Sequence, residues 1–280
     1  MIEISQEILT RVIKKRSSNT HKGNFGRILL IGGNENYGGA IIMSAEGALN
    51  SGAGLVTVVT HSLNAAALHA RLPEVMYVDW RQRNLAEIIK KMDVIVCGPG
   101  LGNSLFAQNI LIMIKETITK TQTLILDASA LDLLAQDHSL VPSSAGTVVL
   151  TPHQMEWQRL SQIHIPFQAD QANLTALQTL FPRENAILVL KSNHTKIYDA
   201  KGNVYLNPLG NPGMAVGGMG DTLTGIIGGF VAQFGSNIDI VLAAVYLHSL
   251  AGDELASNNY IVRPTMISAL LPELMKKYAN

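Results

Sequence analysis

Residues Asn211 to Gly229 read Asn-Pro-Gly-Met-Ala-Val-Gly-Gly-Met-Gly-Asp-Thr-Leu-Thr-Gly-Ile-Ile-Gly-Gly. Gly213, Gly217, Gly218 and Gly220 are able to adopt positive φ and to let another molecule approach the backbone closely. From about Asp221 the pattern changes, with Leu223, Ile226, Ile227 and Phe230 recurring at helical spacing. A glycine loop therefore feeds a helix N-terminus, whose free N–H groups and dipole favour an anion such as a phosphate. Asp221 stands where that anion belongs, and two anions repel. A carboxylate there suits a base for a hydroxyl that meets a phosphoryl group, beside a metal ion or bound cation. The purely structural alternative is a glycine turn before a buried helix with Asp221 as its N-cap. Neither the Walker pattern nor a strand followed by G-x-G-x-x-G is present in this stretch.

Other polar clusters fall directly after apolar runs that read as strands. Gly32-Gly33-Asn34 follows a strand at Arg27–Ile31, and Gly38-Gly39-Ala40 opens a helix that runs to Leu49. With the next strand, Leu55–Thr60, this forms a βαβ unit. A strand at 93–97 runs into Gly98-Pro99-Gly100-Leu101-Gly102-Asn103, ahead of a helix at Leu105–Thr117. Strand Thr123–Leu126 ends at Asp127, where an acid either touches a cation or caps the next helix. Strand Thr147–Leu150 ends in Thr151-Pro152-His153, and His153 reads as a substrate contact or as a satisfied turn histidine. Strand Ala186–Leu190 leads to Lys191-Ser192-Asn193-His194-Thr195, a nucleotide contact or a solvated strand end. Open α/β sheets bind ligands outside the carboxyl ends of their strands, so these loops are the candidate site walls.

The elements that must position them alternate. Residues 1–16 are expected to form an amphipathic helix with Ile4, Ile8, Val12 and Ile13 on one side. Helices are expected near 63–72, 85–92, 131–135, 156–161, 169–180, 238–255 and 265–278, with a short strand at 75–79. Lys196–Asp199 and 203–206, joined by Ala200-Lys201-Gly202, read as a β-hairpin. Strand–helix alternation predicts an α/β fold, a three-layer α/β/α sandwich with a mostly parallel central sheet and one antiparallel edge. No repeat or linker divides the sequence, so residues 1–280 are expected to form a single domain.

Composition narrows the class of function. Lys plus Arg and Asp plus Glu are 21 each, which gives a formal net charge of zero and no signature of nucleic acid or an acidic membrane. The single cysteine, Cys97, excludes an internal disulfide and a cysteine-rich zinc site, and its apolar surroundings mark a buried thiol. No secretory leader and no uninterrupted apolar run of about 18 residues are apparent, so a cytoplasmic enzyme is expected.

A G-x-G-D loop opening a late helix resembles the anion hole of the ribokinase-like superfamily. Nearly the whole sequence resembles one branch of it, the ADP/ATP-dependent NAD(P)H-hydrate dehydratases. The resemblance runs from Lys22-Gly23 through Gly33, Gly38-Gly39-Ala40, Gly98-Pro99-Gly100-Leu101-Gly102 and Leu150-Thr151-Pro152-His153. It continues through Asn211 to Gly229 and ends at Leu247-His248-Ser249-Leu250-Ala251-Gly252-Asp253. It implies that Ala40, Gly102, His153 and Asp221 contact the hydrated nicotinamide nucleotide. Lys191, Ser192, Asn193, His194, Thr195 and Gly220 are implied to contact the adenosine nucleotide, with Gly217 and Gly218 in the same anion loop. Three positions depart from the family: Ser129 replaces an acid, Gln154-Met155 replaces Pro-Gly, and Ser249 replaces glycine.

The implied reaction restores NADH or NADPH from the S-epimer of its hydrate, with ADP or ATP cleaved and Mg²⁺ neutralising the nucleotide. A homotetramer working beside a separate epimerase is also implied. A kinase of a small vitamin precursor or sugar shares the loop and Asp221, and only retention of phosphate on the product separates it. A nucleotide-binding regulatory module without turnover is the reading that Asp221 opposes.

Overall fold

A computed structural model describes residues 1–280. Its centre is one ten-stranded sheet in the order β1-β10-β9-β8-β7-β6-β5-β2-β3-β4. The strands are β1 (Ile2–Glu3), β2 (Arg27–Ile31), β3 (Leu55–Thr60), β4 (Met76–Asp79), β5 (Val94–Cys97), β6 (Thr123–Leu126), β7 (Thr147–Leu150), β8 (Ala186–Leu190), β9 (Lys196–Asp199) and β10 (Val204–Leu206). All neighbours pair in parallel except β8–β9 and β9–β10.

Alternation along each strand builds the three layers. Ile28 and Leu30 of β2 face one core, whereas Leu29 and Ile31 face the other. The first core is covered by α1 (Glu7–Val12), α2 (Gly38–Asn50), α3 (Ala65–Arg71), α9 (Met219–Phe234), α10 (Ile238–Ala256) and α11 (Pro264–Tyr278). The second lies under α4 (Leu85–Ile89), α5 (Leu105–Thr117), α6 (Ser129–Gln136), α7 (Gln154–Ser161) and α8 (Asp170–Leu180). Buried on both faces, the central strands read as continuous apolar runs, as parallel strands do. Cys97 sits in the second core, where burial pushes its thiol up to about 12.

The small residues inside α9 serve a close helix crossing. A Cβ on Gly225 would stand 1.9 Å from the Ser44 carbonyl oxygen of α2, and one on Gly229 would stand 2.1 Å from Ser51 Oγ. Glycine in a helix costs about 1 kcal/mol relative to alanine, which this packing offsets. The crossing fixes where α9 begins, and so where Asp221 stands.

The N-terminus departs from the single helix expected over 1–16. Ile2–Glu3 extends the sheet beside Tyr205 and Leu206, and the helix is confined to Glu7–Val12. Ile4, Ile8, Val12 and Ile13 are all buried as expected, but pairing to a strand some 200 residues away claims the first turn. The outer edge of the sheet is therefore β1, and the hairpin lies one strand inside it.

Candidate functional site

At the carboxyl ends of β6, β7 and β8, a cavity of about 760 Å³ opens towards the N-terminus of α9. Its walls come from Asp127 and Ala128 after β6, from His153 and Glu156 after β7, and from Lys191 to Thr195 after β8. Gly220 and Asp221 close it from α9, and the 209–215 loop with His248 and Ser249 of α10 forms the far side.

The charged centre is a lysine held among carboxylates. Lys191 Nζ donates to Asp127 Oδ1 at 2.8 Å and stands 3.9 Å from Glu156 Oε2. Asp127 is 2% exposed, and its Oδ2 accepts from Thr224 Oγ1 of α9 at 2.7 Å. Burial works to lower the Lys191 pKa, but Asp127 and Glu156 outweigh it and hold the ammonium above its ordinary value. Of the two sequence readings of Asp127, cation contact is the one observed. Helix α6 begins after Ala128 without a side-chain cap.

Asp221 lies in the first turn of α9, and the residue at the cap is Gly218 with φ of 90°. Asp221 is thus not the N-cap of the structural alternative. Its carboxyl is pushed up to about 6, by burial first and by the Asp127 charge second, with Lys191 opposing. A base poised near neutral pH is what proton transfer requires.

The loop glycines act differently from the expectation. Of Gly213, Gly217, Gly218 and Gly220, only Gly218 takes positive φ. Gly220 is helical, and its role is space: a Cβ there would stand 3.0 Å from Lys191 Nζ. Lacking one, the helix N-terminus and the lysine converge on the same part of the cavity, a natural seat for phosphate. Gly217 and Gly218 lie outside the cavity wall; a Cβ on Gly218 would strike Met43 at 2.3 Å, whereas Gly217 faces open space.

His153 caps α7. Its Nδ1 accepts from the Met155 and Glu156 amides at 3.1 and 3.2 Å, and its own N–H donates to Glu156 Oε2 at 2.8 Å. This reciprocal capping box survives the Gln154-Met155 departure. His153 therefore satisfies the turn reading and lines the cavity as well. Burial, Lys191 and Arg159 lower its pKa, so the imidazole is neutral near pH 7. Burial raises Glu156 to about 7, against the pull of Lys191.

Ala40 and Gly102 lie apart from this cavity. Gly102, with φ of 82°, lines a smaller cavity of about 270 Å³, and Ala40 packs beside Gly100. The link between them is short, because the Gly102 N–H donates to Ser129 Oγ at 3.0 Å, next to Ala128. The Ser129 departure thus keeps an acceptor at this place. Ser249 is buried and its hydroxyl accepts from Asn207 Nδ2 at 2.8 Å.

Sequence reasoning missed Glu156 and His248. The His-x-x-Glu spacing at the start of a helix was the available signal for Glu156. His248 sits in the apolar helix α10, where burial lowers it to about 4 and leaves Nε2 without a partner. Nothing in a lone histidine among apolar residues announces a cavity wall.

A sequence profile of the NAD(P)H-hydrate dehydratase family matches residues 28–273. The chain belongs to that family. It is 49% identical to the ADP-dependent (S)-NAD(P)H-hydrate dehydratase of Lactiplantibacillus plantarum, over 100% of this chain and 99% of that one. A ribokinase-like superfamily protein from Enterococcus faecalis superposes with a TM-score of 0.95 at 49% identity, covering 99% and 96% of the two chains. The ADP/ATP-dependent NAD(P)H-hydrate dehydratase of Bacillus subtilis, co-crystallised with ATP/Mg²⁺, superposes with a TM-score of 0.82 at 25% identity, covering 98% and 97%. As a family member the chain is an enzyme, a hydro-lyase on a ribokinase-like fold.

Proposed function

We propose that this dehydratase acts on the S-epimer of NAD(P)H hydrate with ADP or ATP as co-substrate, and that Asp221 is its catalytic base. Supporting the residue assignment above all is a carboxyl with a pKa of about 6 in the first turn of α9, in the same cavity as the Lys191 ammonium.

In this reading the nucleotide lies against Lys191 to Thr195, with its terminal phosphoryl group between Lys191 and the amides that open α9 at Gly220 and Asp221. The hydrated nicotinamide ring enters from the side of His153, and the rest of the dinucleotide extends over Gly102 and Ala40. Water is a poor leaving group, and a phosphate is a better one. Asp221 takes the proton from the ring hydroxyl as that oxygen attacks the terminal phosphorus. The phosphorus–oxygen bond to the nucleotide breaks, releasing AMP from ADP or ADP from ATP. The ring nitrogen lone pair then expels phosphate from C6, and loss of a proton from C5 restores the dihydropyridine. Lys191 and the helix N-terminus stabilise the charge that gathers on the transferring group.

Mg²⁺ fits this donor set in the way it usually travels with a nucleotide. No cluster of three carboxylate, imidazole or thiolate ligands is assembled, and Mg²⁺ binds through phosphates, waters and one or two carboxylates. Glu156 and Asp221 are the cavity acids whose charge is least committed to Lys191. When bound, the ion would neutralise charge on the phosphates.

Action as one domain over residues 1–280, assembly as a homotetramer, work alongside a separate epimerase and a cytoplasmic location belong to the same reading. No helix is long and apolar enough to cross a membrane. The decisive assay mixes the protein with NADH hydrate, Mg²⁺ and ADP or ATP. Recovery of NADH absorbance with stoichiometric free phosphate is the expected result, and a stable phosphorylated product would return the chain to the kinase class.

A further inference from the structure

We propose that the small cavity beside Gly102 receives the adenosine end of the pyridine dinucleotide, and that Arg81 at this cavity binds the 2′-phosphate that separates NADPH hydrate from NADH hydrate. This rests on the dehydratase reading and adds the subsite that reads the far half of the substrate.

The cavity takes its walls from residues after the carboxyl ends of β5, β2 and β4, so it begins one strand from Asp127 at β6 and reaches Arg81 beyond β4. At about 270 Å³ it is too small for a whole dinucleotide and suits one nucleoside end. The path to the main cavity is continuous, through the Gly102–Ser129 hydrogen bond and Ala128.

Its lining has the chemistry of a base and a charged ribose. Trp80 and Phe106 stand with ring centroids 5.0 Å apart and present aromatic surface to the cavity. Trp80 is 7% exposed, and its buried indole N–H has no partner within the chain. An unpaired buried donor is costly, and a ligand acceptor would satisfy it. Arg81 is exposed at the cavity, and its guanidinium makes no ion pair; only its backbone amide is engaged, with Asp79 Oδ1 at 2.9 Å. Glu35 also lines the cavity, and a carboxylate there is suited to the 3′-hydroxyl, which carries no phosphate in either dinucleotide. Adenine between aromatic edges, ribose by Glu35 and phosphate on Arg81 use each of these groups once.

The test titrates NADPH and NADH, the stable product dinucleotides, into the full-length protein and its Arg81→Ala, Arg81→Lys and Trp80→Phe variants by calorimetry. Thermal melts confirm folding of each. Arg81→Ala is expected to weaken NADPH on the order of ten-fold, the scale of one charge-assisted hydrogen bond, and to leave NADH within about two-fold. Arg81→Lys should recover part of the NADPH affinity. Trp80→Phe should weaken both dinucleotides alike. Equal loss of NADPH and NADH affinity in Arg81→Ala, or no loss of either, overturns the 2′-phosphate assignment. Unchanged affinities in Trp80→Phe overturn the subsite. The wild-type hydrate assay stands apart: its failure would remove the dehydratase reading, whereas the binding differences are read without turnover.

Discussion

A Cβ on Gly220 would stand 3.0 Å from the Nζ of Lys191. The first turn of α9 and the cation at the end of β8 are thus brought together, and the space between them is kept by the absence of one methyl group. Lys191 is in turn anchored on Asp127 at 2.8 Å, and Asp127 on Thr224 of the same helix at 2.7 Å. Strand end, lysine, acid and helix close a ring around the proposed phosphate seat.

Gly220→Ala should therefore fold and bind nucleotide poorly. The backbone at Gly220 is helical, so alanine is compatible with it and even favourable for the helix. The methyl group would stand 3.0 Å from Lys191 Nζ, so the ammonium has to give by a few tenths of an ångström and the phosphate seat beside it narrows. Calorimetry with ADP is expected to show at least a ten-fold loss of affinity at a melting temperature close to wild type. Undiminished affinity would mean that phosphate does not lie between Gly220 and Lys191.

Lys191→Met tests the ion pair itself. Removing one partner leaves the Asp127 charge buried, with only the Thr224 hydroxyl as a hydrogen-bond donor from a side chain. Such a loss typically destabilises by about 3 kcal/mol. Urea unfolding at pH 7 should show that drop. A Lys191→Met protein as stable as wild type at pH 7 would show that the Lys191–Asp127 pair adds nothing to the stability of the fold.

Much of this framework is legible in the sequence, for local reasons. Apolar runs such as Arg27–Ile31 and Thr147–Leu150 end in glycine, threonine or histidine, and the strands end at the same residues. The ring around the phosphate seat is not legible, because Lys191 and Asp127 are 64 residues apart and Asp127 and Thr224 are 97 apart. Asp127 was readable only as a strand-end acid. Nor does glycine content reveal which glycines need positive φ and which need space, as Gly218 and Gly220 show. Nor is it legible that Gly102 and His153 line different cavities, since β5 and β7, the strands they follow, have only β6 between them.

Asp221 should carry a stability cost that depends on pH. Its folded value of about 6 exceeds the ordinary 3.8, so the folded state binds more protons than the unfolded state between those values. Stability from this group is present below about pH 4 and is lost as pH rises through about 6. Glu156, raised to about 7 from 4.5, adds a loss of the same sign over its own range. Asp221→Asn removes the first contribution. Its melting temperature should exceed wild type at pH 8, and the gap should close by pH 4. A gap independent of pH would place the Asp221 carboxyl back in the ordinary range.

The central claim is that Asp221 is the base that removes the hydroxyl proton. Turnover of NADH hydrate by Asp221→Asn at saturating ADP and Mg²⁺ measures it most directly. The amide retains size and packing but cannot take the proton, and general-base catalysis is typically worth about 10²–10⁴-fold. The account predicts a fall in kcat of that order in a folded protein with ADP affinity equal to or above wild type, because a negative charge has left the neighbourhood of the phosphates. Wild-type kcat in a folded Asp221→Asn protein would contradict it and leave the α9 N-terminus as a binding feature alone.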